Sequence, residues 1–143
     1  MNTLEENKNP VRISRGARMK KRVYVAGVYS KTEAGKEAGV LEVLQNIGKG
    51  QYMCAKLFAL GYAPFCPWHD RSYPMDLFDT KFEVKDFYEH SLAWLEVSDA
   101  MLVISGAGLG SGVDMEIDFC KEHNIPVFYE FKDLEKWNNI GIS

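Results

Sequence analysis

No stretch of this chain approaches the ~20 consecutive apolar residues that a membrane-spanning helix needs, and its first residues carry no hydrophobic signal segment. A membrane protein is therefore not expected. Cysteine is scarce: Cys54, Cys66 and Cys120 form no CxxC pair and sit in apolar stretches, so neither a disulfide framework nor a zinc cluster is expected. They read as buried thiols of a reducing compartment, which places the chain in the cytosol. Basic charge is not in excess, with Lys and Arg numbering 17 against 20 Asp and Glu and a net charge of −3. A surface built to neutralise many phosphates needs clustered cations, so bulk nucleic acid is not an expected partner. The run Arg12, Arg15, Arg18, Lys20, Lys21, Arg22 is the exception; a basic run of this length near a terminus is more often solvated tail than an anion-binding site. There is no GxxxxGK[ST] run, which excludes a P-loop. The stretch GAGLGSG misses the dinucleotide fingerprint, because the third glycine falls on Ser111 counted from Gly106 and on Val113 counted from Gly108. The histidines His69, His90 and His123 have no metal-ligand spacing, so no metal is expected.

What is present is the composition of a globular enzyme-sized domain: 143 residues, 46% hydrophobic, 13% aromatic and 26% charged, enough for one domain with a packed core. Residues 1–19 are polar and aperiodic and read as an extension; 20–143 read as the folded unit. Within it, short apolar runs alternate with helical stretches. Arg22 to Ala26 is a strand ending at Gly27. Val40 to Leu60 is a helix whose stripe is Val40, Leu44, Ile47, Cys54, Leu57 and Phe58, weakened at Gly48 and Gly50 and capped by Gly61. Tyr62 to Cys66 is a second strand stopped by Pro67. Trp68 to Asp79 reads as a long loop of the kind that carries function. Phe82 to Val97 is a helix burying Val84, Phe87, Ser91, Leu92 and Leu95, and Ala100 to Ile104 is the third strand. Ser111 caps a helix reaching His123, with Asp114 as a variant capping-box partner. Pro126 to Tyr129 is a fourth strand, followed by a short helix at Asp133 to Trp137. The alternation predicts an α/β fold, a single doubly wound Rossmann- or flavodoxin-like domain with a parallel sheet of four to five strands in the order 2-1-3-4(-5).

In that order the crossovers reverse direction between the first and third strands, and ligands bind at such a switch. The loops Gly27 to Lys36 and Ser105 to Gly112 flank it, both rich in Gly and Ser. The second feeds the N-terminus of the Ser111 helix, where free N–H groups favour an anion. Glu116 lies just over one turn into that helix. It either faces the crevice or is an ordinary acidic residue complementing the helix dipole. Asp86 and His90, one turn apart, are either an acid–base pair or a surface contact. Trp68, Tyr73 and Phe78 either stack on a ligand or pack a lid onto the core.

The strand YVAGVYS, the stretch GYAPFCP, the segment HSLAWLEVSDAMLVISG and the run SGVDMEIDFCKEHNIPVF together resemble the nucleoside 2-deoxyribosyltransferase-like superfamily, in particular its small bacterial and phage members, over about Lys20 to Tyr129. The resemblance implies cleavage of an N-glycosidic bond in a deoxynucleoside or nucleoside 5′-monophosphate. Glu116 matches the family's glutamate nucleophile, which forms a glycosyl-enzyme intermediate that water or a second base resolves. Tyr24 matches the strand-one tyrosine and Gly27 the glycine ending that strand. Ser111 and Gly112 match the phosphate- or sugar-holding position, and Trp68, His69 and Asp70 the segment that contacts base or sugar. No cofactor is implied, and a homo-oligomer is. The chain departs from the family pattern at two places: Ser91 stands where relatives commonly carry an aspartate, and Gly110 where many have Ser or Asp. The alternative reading is a non-catalytic protein that binds a nucleotide or nucleotide-derived signal in the same cleft. An inactive structural partner is the third.

Overall fold

In the computed structural model, which describes residues 20–30, 36–105 and 111–140, four parallel strands form one sheet in the order β2-β1-β3-β4. The strands are β1 (Arg22–Gly27), β2 (Ala63–Phe65), β3 (Ala100–Ser105) and β4 (Val127–Phe128); the helices are α1 (Val40–Ala59), α2 (Tyr73–Asp76), α3 (Val84–Glu96), α4 (Ser111–Glu122) and α5 (Phe131–Ile140), with a 3-10 helix at Pro67–Ser72. The fold is α/β and Rossmann- or flavodoxin-like, in the expected strand order. The predicted extension, the residues 31–35 of the first loop and 106–110 of the second lie outside the described residues, as do the side chains of His69 and Ser111.

Successive side chains of a strand point to opposite faces, and a parallel sheet must bury both. β1 does this with four buried residues in a row. Val23 and Val25 join Leu57, Tyr62, Ala100, Leu102 and Leu134 in one core, covered by α1 and α5. Tyr24 and Ala26 join Leu95, Met101, Val103, Val113 and Cys120 in the other, covered by α3 and α4. Each fully buried large apolar side chain contributes roughly 1.5–3 kcal/mol through removal from water. α1 and α4, which leave the neighbouring strands β1 and β3, thus lie on opposite faces. The switch point is therefore between β1 and β3, where the register shifts between Ala26 and Gly27 and Gly27 pairs with Ser105. At the other end the two strands are tied by the Arg22 N–H donating to Asp99 Oδ2 (2.7 Å) and the Asp99 N–H donating to the Arg22 carbonyl (2.8 Å).

Gly61, at φ +96°, ends α1 in a Schellman turn: the Tyr62 N–H donates to the Leu57 carbonyl and the Gly61 N–H to that of Phe58. Asn124, at φ 58°, follows α4 in the same way, with the Ile125 N–H on the Cys120 carbonyl.

Several expectations about the elements need correction. The α1 stripe is wrong over its first half: Val40 is 78% exposed, and Leu44 and Phe58 are also exposed. The face that meets the sheet is Gly50, Met53, Cys54 and Leu57, an i, i+3, i+4, i+7 set in which a glycine stands where an apolar side chain was sought. Val84 is exposed because it is the first residue of α3, before the helix reaches the sheet. Trp68 to Asp79 is not a plain loop. Pro67 and Pro74 each stand at the start of a helical turn, where a missing N–H costs nothing. α4 begins at Ser111 itself, one place further in than a capping residue, and α5 is longer than expected. Among the described residues no helix is long and apolar enough to cross a membrane.

Candidate active site

Glu116 stands on the buried face of α4, three residues after Val113 and four before Cys120, both of which pack on the sheet. This spacing turns its side chain inward, and only 8% of the residue is exposed. A carboxylate so placed requires a donor. The Tyr24 hydroxyl, itself fully buried, donates to Glu116 Oε2. Tyr24 lies three residues before the end of β1, so the phenol that holds the carboxylate springs from within the strand rather than from the loop that follows it. The Ser91 hydroxyl of α3 in turn donates to the Tyr24 oxygen, giving a relay from α3 through β1 to α4.

The Glu116 carboxyl is pushed up to about 7: burial is the main cause, the Tyr24 hydrogen bond offsets part of the rise, and the charge of Asp70 adds to it. Burial, then the charge and hydrogen bond of Glu116, push the Tyr24 hydroxyl far above its ordinary 10, so it remains a donor throughout. Burial, with Glu116 adding, pushes the Cys120 thiol up to about 12. Near neutral pH, then, Glu116 is divided between a carboxylate able to attack and a carboxylic acid able to donate.

Asp70, 7% exposed, is the second buried carboxyl facing this position. It is carried by the 3-10 helix, and its Oδ2 lies 3.7 Å from His90 Nδ1 of α3. The Tyr73 ring stands steeply inclined to the imidazole, with centroids 6.2 Å apart. The 3-10 helix is seated by Trp68, which is buried, meets Tyr29 edge-on at 5.4 Å, and packs directly on Gly50. A Cβ at Gly50 would come within 2.8 Å of the Trp68 ring and 3.2 Å of Cys66 Sγ. Gly50 is therefore glycine because the indole needs its space. Cys54, one turn on, is hydrogen-bonded to Cys66; that contact draws the Cys54 thiol down and pushes the Cys66 thiol up.

The structure brings together Tyr24, Asp70 and Glu116 from the predicted set, with His90 joined through Asp70. It does not pair His90 with Asp86, whose Oδ2 accepts from the Glu83 N–H at 2.8 Å in an exposed capping box at the start of α3. Trp68, Tyr73 and Phe78 do not act as one aromatic set either: Trp68 is buried, Tyr73 lies on His90, and Phe78 is 81% exposed. Gly112 sits near Tyr88, where a Cβ would find only ordinary contact at 3.5 Å. Ser91 was legible as a member of the buried stripe of its helix and as a departure from the family pattern, but not as a partner of Tyr24, and the pairing of Asp70 with His90, twenty residues apart, left no local signal. Among the described residues no group of three His, Cys, Asp or Glu is arranged to hold a metal. A separate, largely apolar cavity of about 350 Å³ between β2 and the end of α3 contains none of these residues.

The model of a family described as a domain of unknown function, DUF7768, matches residues 21–130. The chain belongs to that family. The matched span of this DUF7768 chain contains Tyr24, Asp70, His90, Ser91 and Glu116, and so the whole of the buried constellation. No curated protein and no solved structure matches it.

Proposed function

We propose that this DUF7768 protein cleaves or transfers the N-glycosidic bond of a deoxynucleoside, nucleoside or nucleoside 5′-monophosphate, with Glu116 as the nucleophile. The observation that carries the reading is a single buried glutamate beside the switch point, hydrogen-bonded by a buried tyrosine and raised to about 7. The ionised Glu116 attacks the anomeric carbon, the C–O bond forms as the C–N bond breaks, and the electron pair leaves with the base. The base nitrogen takes up a proton from the second buried carboxyl, Asp70, in its acid form. Water, or a second base, then attacks the anomeric carbon of the glycosyl-enzyme from the opposite face, giving up its proton to the Asp70 carboxylate as the bond to Glu116 breaks and the free carboxylate is regenerated. Tyr24 orients the carboxylate and Ser91 orients Tyr24. Ser111, Gly112 and the free N–H groups at the start of α4 take the phosphate or sugar; Gly27 lets the backbone approach; and the Trp68, His69, Asp70 segment takes the base. The ligand is a small molecule rather than bulk nucleic acid, the compartment is the cytosol, and the assembly is a homo-oligomer. This is the chemistry of the nucleoside 2-deoxyribosyltransferase-like superfamily that the sequence resembles. The test is incubation with a panel of deoxynucleosides, nucleosides and their monophosphates. Free base that appears with the native protein and vanishes with Glu116→Gln supports the reading; none from any substrate overturns it.

A second reading, capture of a nucleotide without turnover, is favoured by Ser91, which engages Tyr24 through a hydroxyl where relatives of the resembled superfamily carry a carboxylate. Thermal stabilisation by a nucleotide, surviving Glu116→Ala and unaccompanied by product, would select it.

A further inference from the structure

The two buried carboxyls interact through their charges, and a buried carboxylate is held by donors. Glu116 has Tyr24, backed by Ser91 of α3. For Asp70, the neighbouring residue of α3 stands in the equivalent place: His90 Nδ1 lies 3.7 Å from Asp70 Oδ2, is itself shielded from solvent, and makes no hydrogen bond. A buried ring nitrogen without a partner is costly, and here a side-chain adjustment of about half an ångström brings it into hydrogen-bond range of a carboxylate. Among the described residues around the imidazole, the Tyr73 ring of α2 stands steeply inclined to it with centroids 6.2 Å apart, and Asp86, one turn earlier on α3, accepts from the Glu83 N–H in its capping box.

We propose that His90 is a positioning residue for Asp70: its Nδ1–H donates to one carboxyl oxygen and so aims the other at the departing base, opposite Glu116. The proposal deepens the glycosidic reading and rests on it for the role of Asp70. The contact itself is independent of any activity. Adjacent residues of one helix, His90 and Ser91, then set the two carboxyls of the site separately, one directly and one through Tyr24. A histidine bound in this way carries its proton on Nδ1, the less populated tautomer of a free imidazole, because the carboxyl selects it.

The tautomer is read by long-range nitrogen–proton NMR on the full chain with labelled histidine, at about pH 9, where an imidazole is neutral. The chain has 3 histidines, and the His90 signals are identified by their loss in His90→Asn. The expected result is Nδ1–H in the native protein, reverting to Nε2–H in Asp70→Ala, which removes the acceptor. Nε2–H in the native protein, or a tautomer indifferent to Asp70→Ala, overturns the proposal whether or not the protein is an enzyme. On a substrate from the panel above, His90→Leu is expected to lower kcat by on the order of tenfold or more with little change in KM. His90→Asn, whose amide nitrogen stands near the Nδ1 position, is expected to recover most of that loss. Equal loss in the two variants, with thermal melts showing both folded, overturns the positioning role. If nothing in the panel is turned over, the glycosidic reading is what fails, and the tautomer still decides the contact.

Discussion

Two tyrosine–glutamate pairs lie on opposite faces of the same sheet, and they differ in what surrounds them. On the face covered by α1 and α5, the Tyr62 hydroxyl donates to Glu135 Oε2 at 2.7 Å in a part-buried contact, and burial followed by that partner pushes the Tyr62 hydroxyl up to about 12. On the face covered by α3 and α4, Tyr24 and Glu116 form the same bond entirely within the protein. There the tyrosine rises much further and the glutamate is itself lifted to about 7, with a second carboxyl, Asp70, adding to the rise. The same two side chains therefore make a structural clasp at a rim and a tuned acid in an interior; solvent and a neighbouring charge decide between them.

The largest effect expected from breaking the buried pair is at Glu116. On the proposal that Glu116 is the covalent nucleophile, Glu116→Gln should abolish release of free base, a loss of at least about a thousandfold, while the protein stays folded. Its stability should change in the opposite sense. Glu116 holds its proton more tightly in the fold than in the unfolded chain, where it has the ordinary value of 4.5. The fold thus binds the extra proton, and stability falls as pH rises from about 4.5 to about 7. The full penalty is on the order of 3 kcal/mol above that window. Denaturant melts of Glu116→Gln should lack this decline and should show a more stable protein at pH 8; a decline of unchanged size would mean that Glu116 ionises freely.

Tyr24→Phe comes next. It removes the donor that offsets part of the rise in Glu116, so the acid limb of the activity profile should move to higher pH. kcat should fall on the order of tenfold to a hundredfold as the carboxylate loses its orientation, and stability should fall by about 1–3 kcal/mol at pH 8, where an ionised Glu116 is left unsatisfied. An unchanged pH profile would show that Tyr24 serves packing alone.

The sheet order was legible because it depends on features with strong local signals. Apolar runs such as RVYVA, the glycines ending them and the alternation of strand with helix suffice to select a doubly wound sheet. The place of Glu116 was legible for a related reason, since a position one turn into a helix leaving the switch point follows from topology, although position alone left open whether the side chain faces the crevice. Its partners were less so. Tyr24 came from the family resemblance, since a tyrosine inside an apolar strand reads as core. Asp70 and His90 belong to separate helices whose packing no periodicity encodes. The misread α1 stripe has the same origin. Gly50 carries no apolar signal, yet it is the point where the helix meets Trp68, and its value lies in the atoms it omits.

A smaller effect tests the seating of the Asp70 segment. Gly50→Ala gains up to about 1 kcal/mol of helix propensity but drives a methyl to 2.8 Å from the Trp68 ring, and overpacking of this kind costs about 1–3 kcal/mol. A net loss of about 1–2 kcal/mol is expected, together with altered quenching of tryptophan fluorescence. Gly48→Ala, two positions earlier and with nothing within 4 Å of the added carbon, should instead stabilise the protein by a fraction of a kcal/mol up to about 1. Equal responses at the two glycines would mean that Trp68 does not rest on α1.

The smallest effect should come from the rim pair. Tyr62→Phe keeps the ring that packs beside Leu57 and Leu134 and deletes only the hydroxyl on Glu135. Because the bond is part-buried, water can replace the lost donor, and the cost should be no more than about 0.5–1.5 kcal/mol. It should vary little between pH 5 and pH 8, and release of base should be unaffected. A pH-dependent loss comparable to that of Tyr24→Phe would place Glu135 in an environment as closed as that of Glu116. The contrast between the two faces would then rest on Asp70 alone, since burial would no longer separate them.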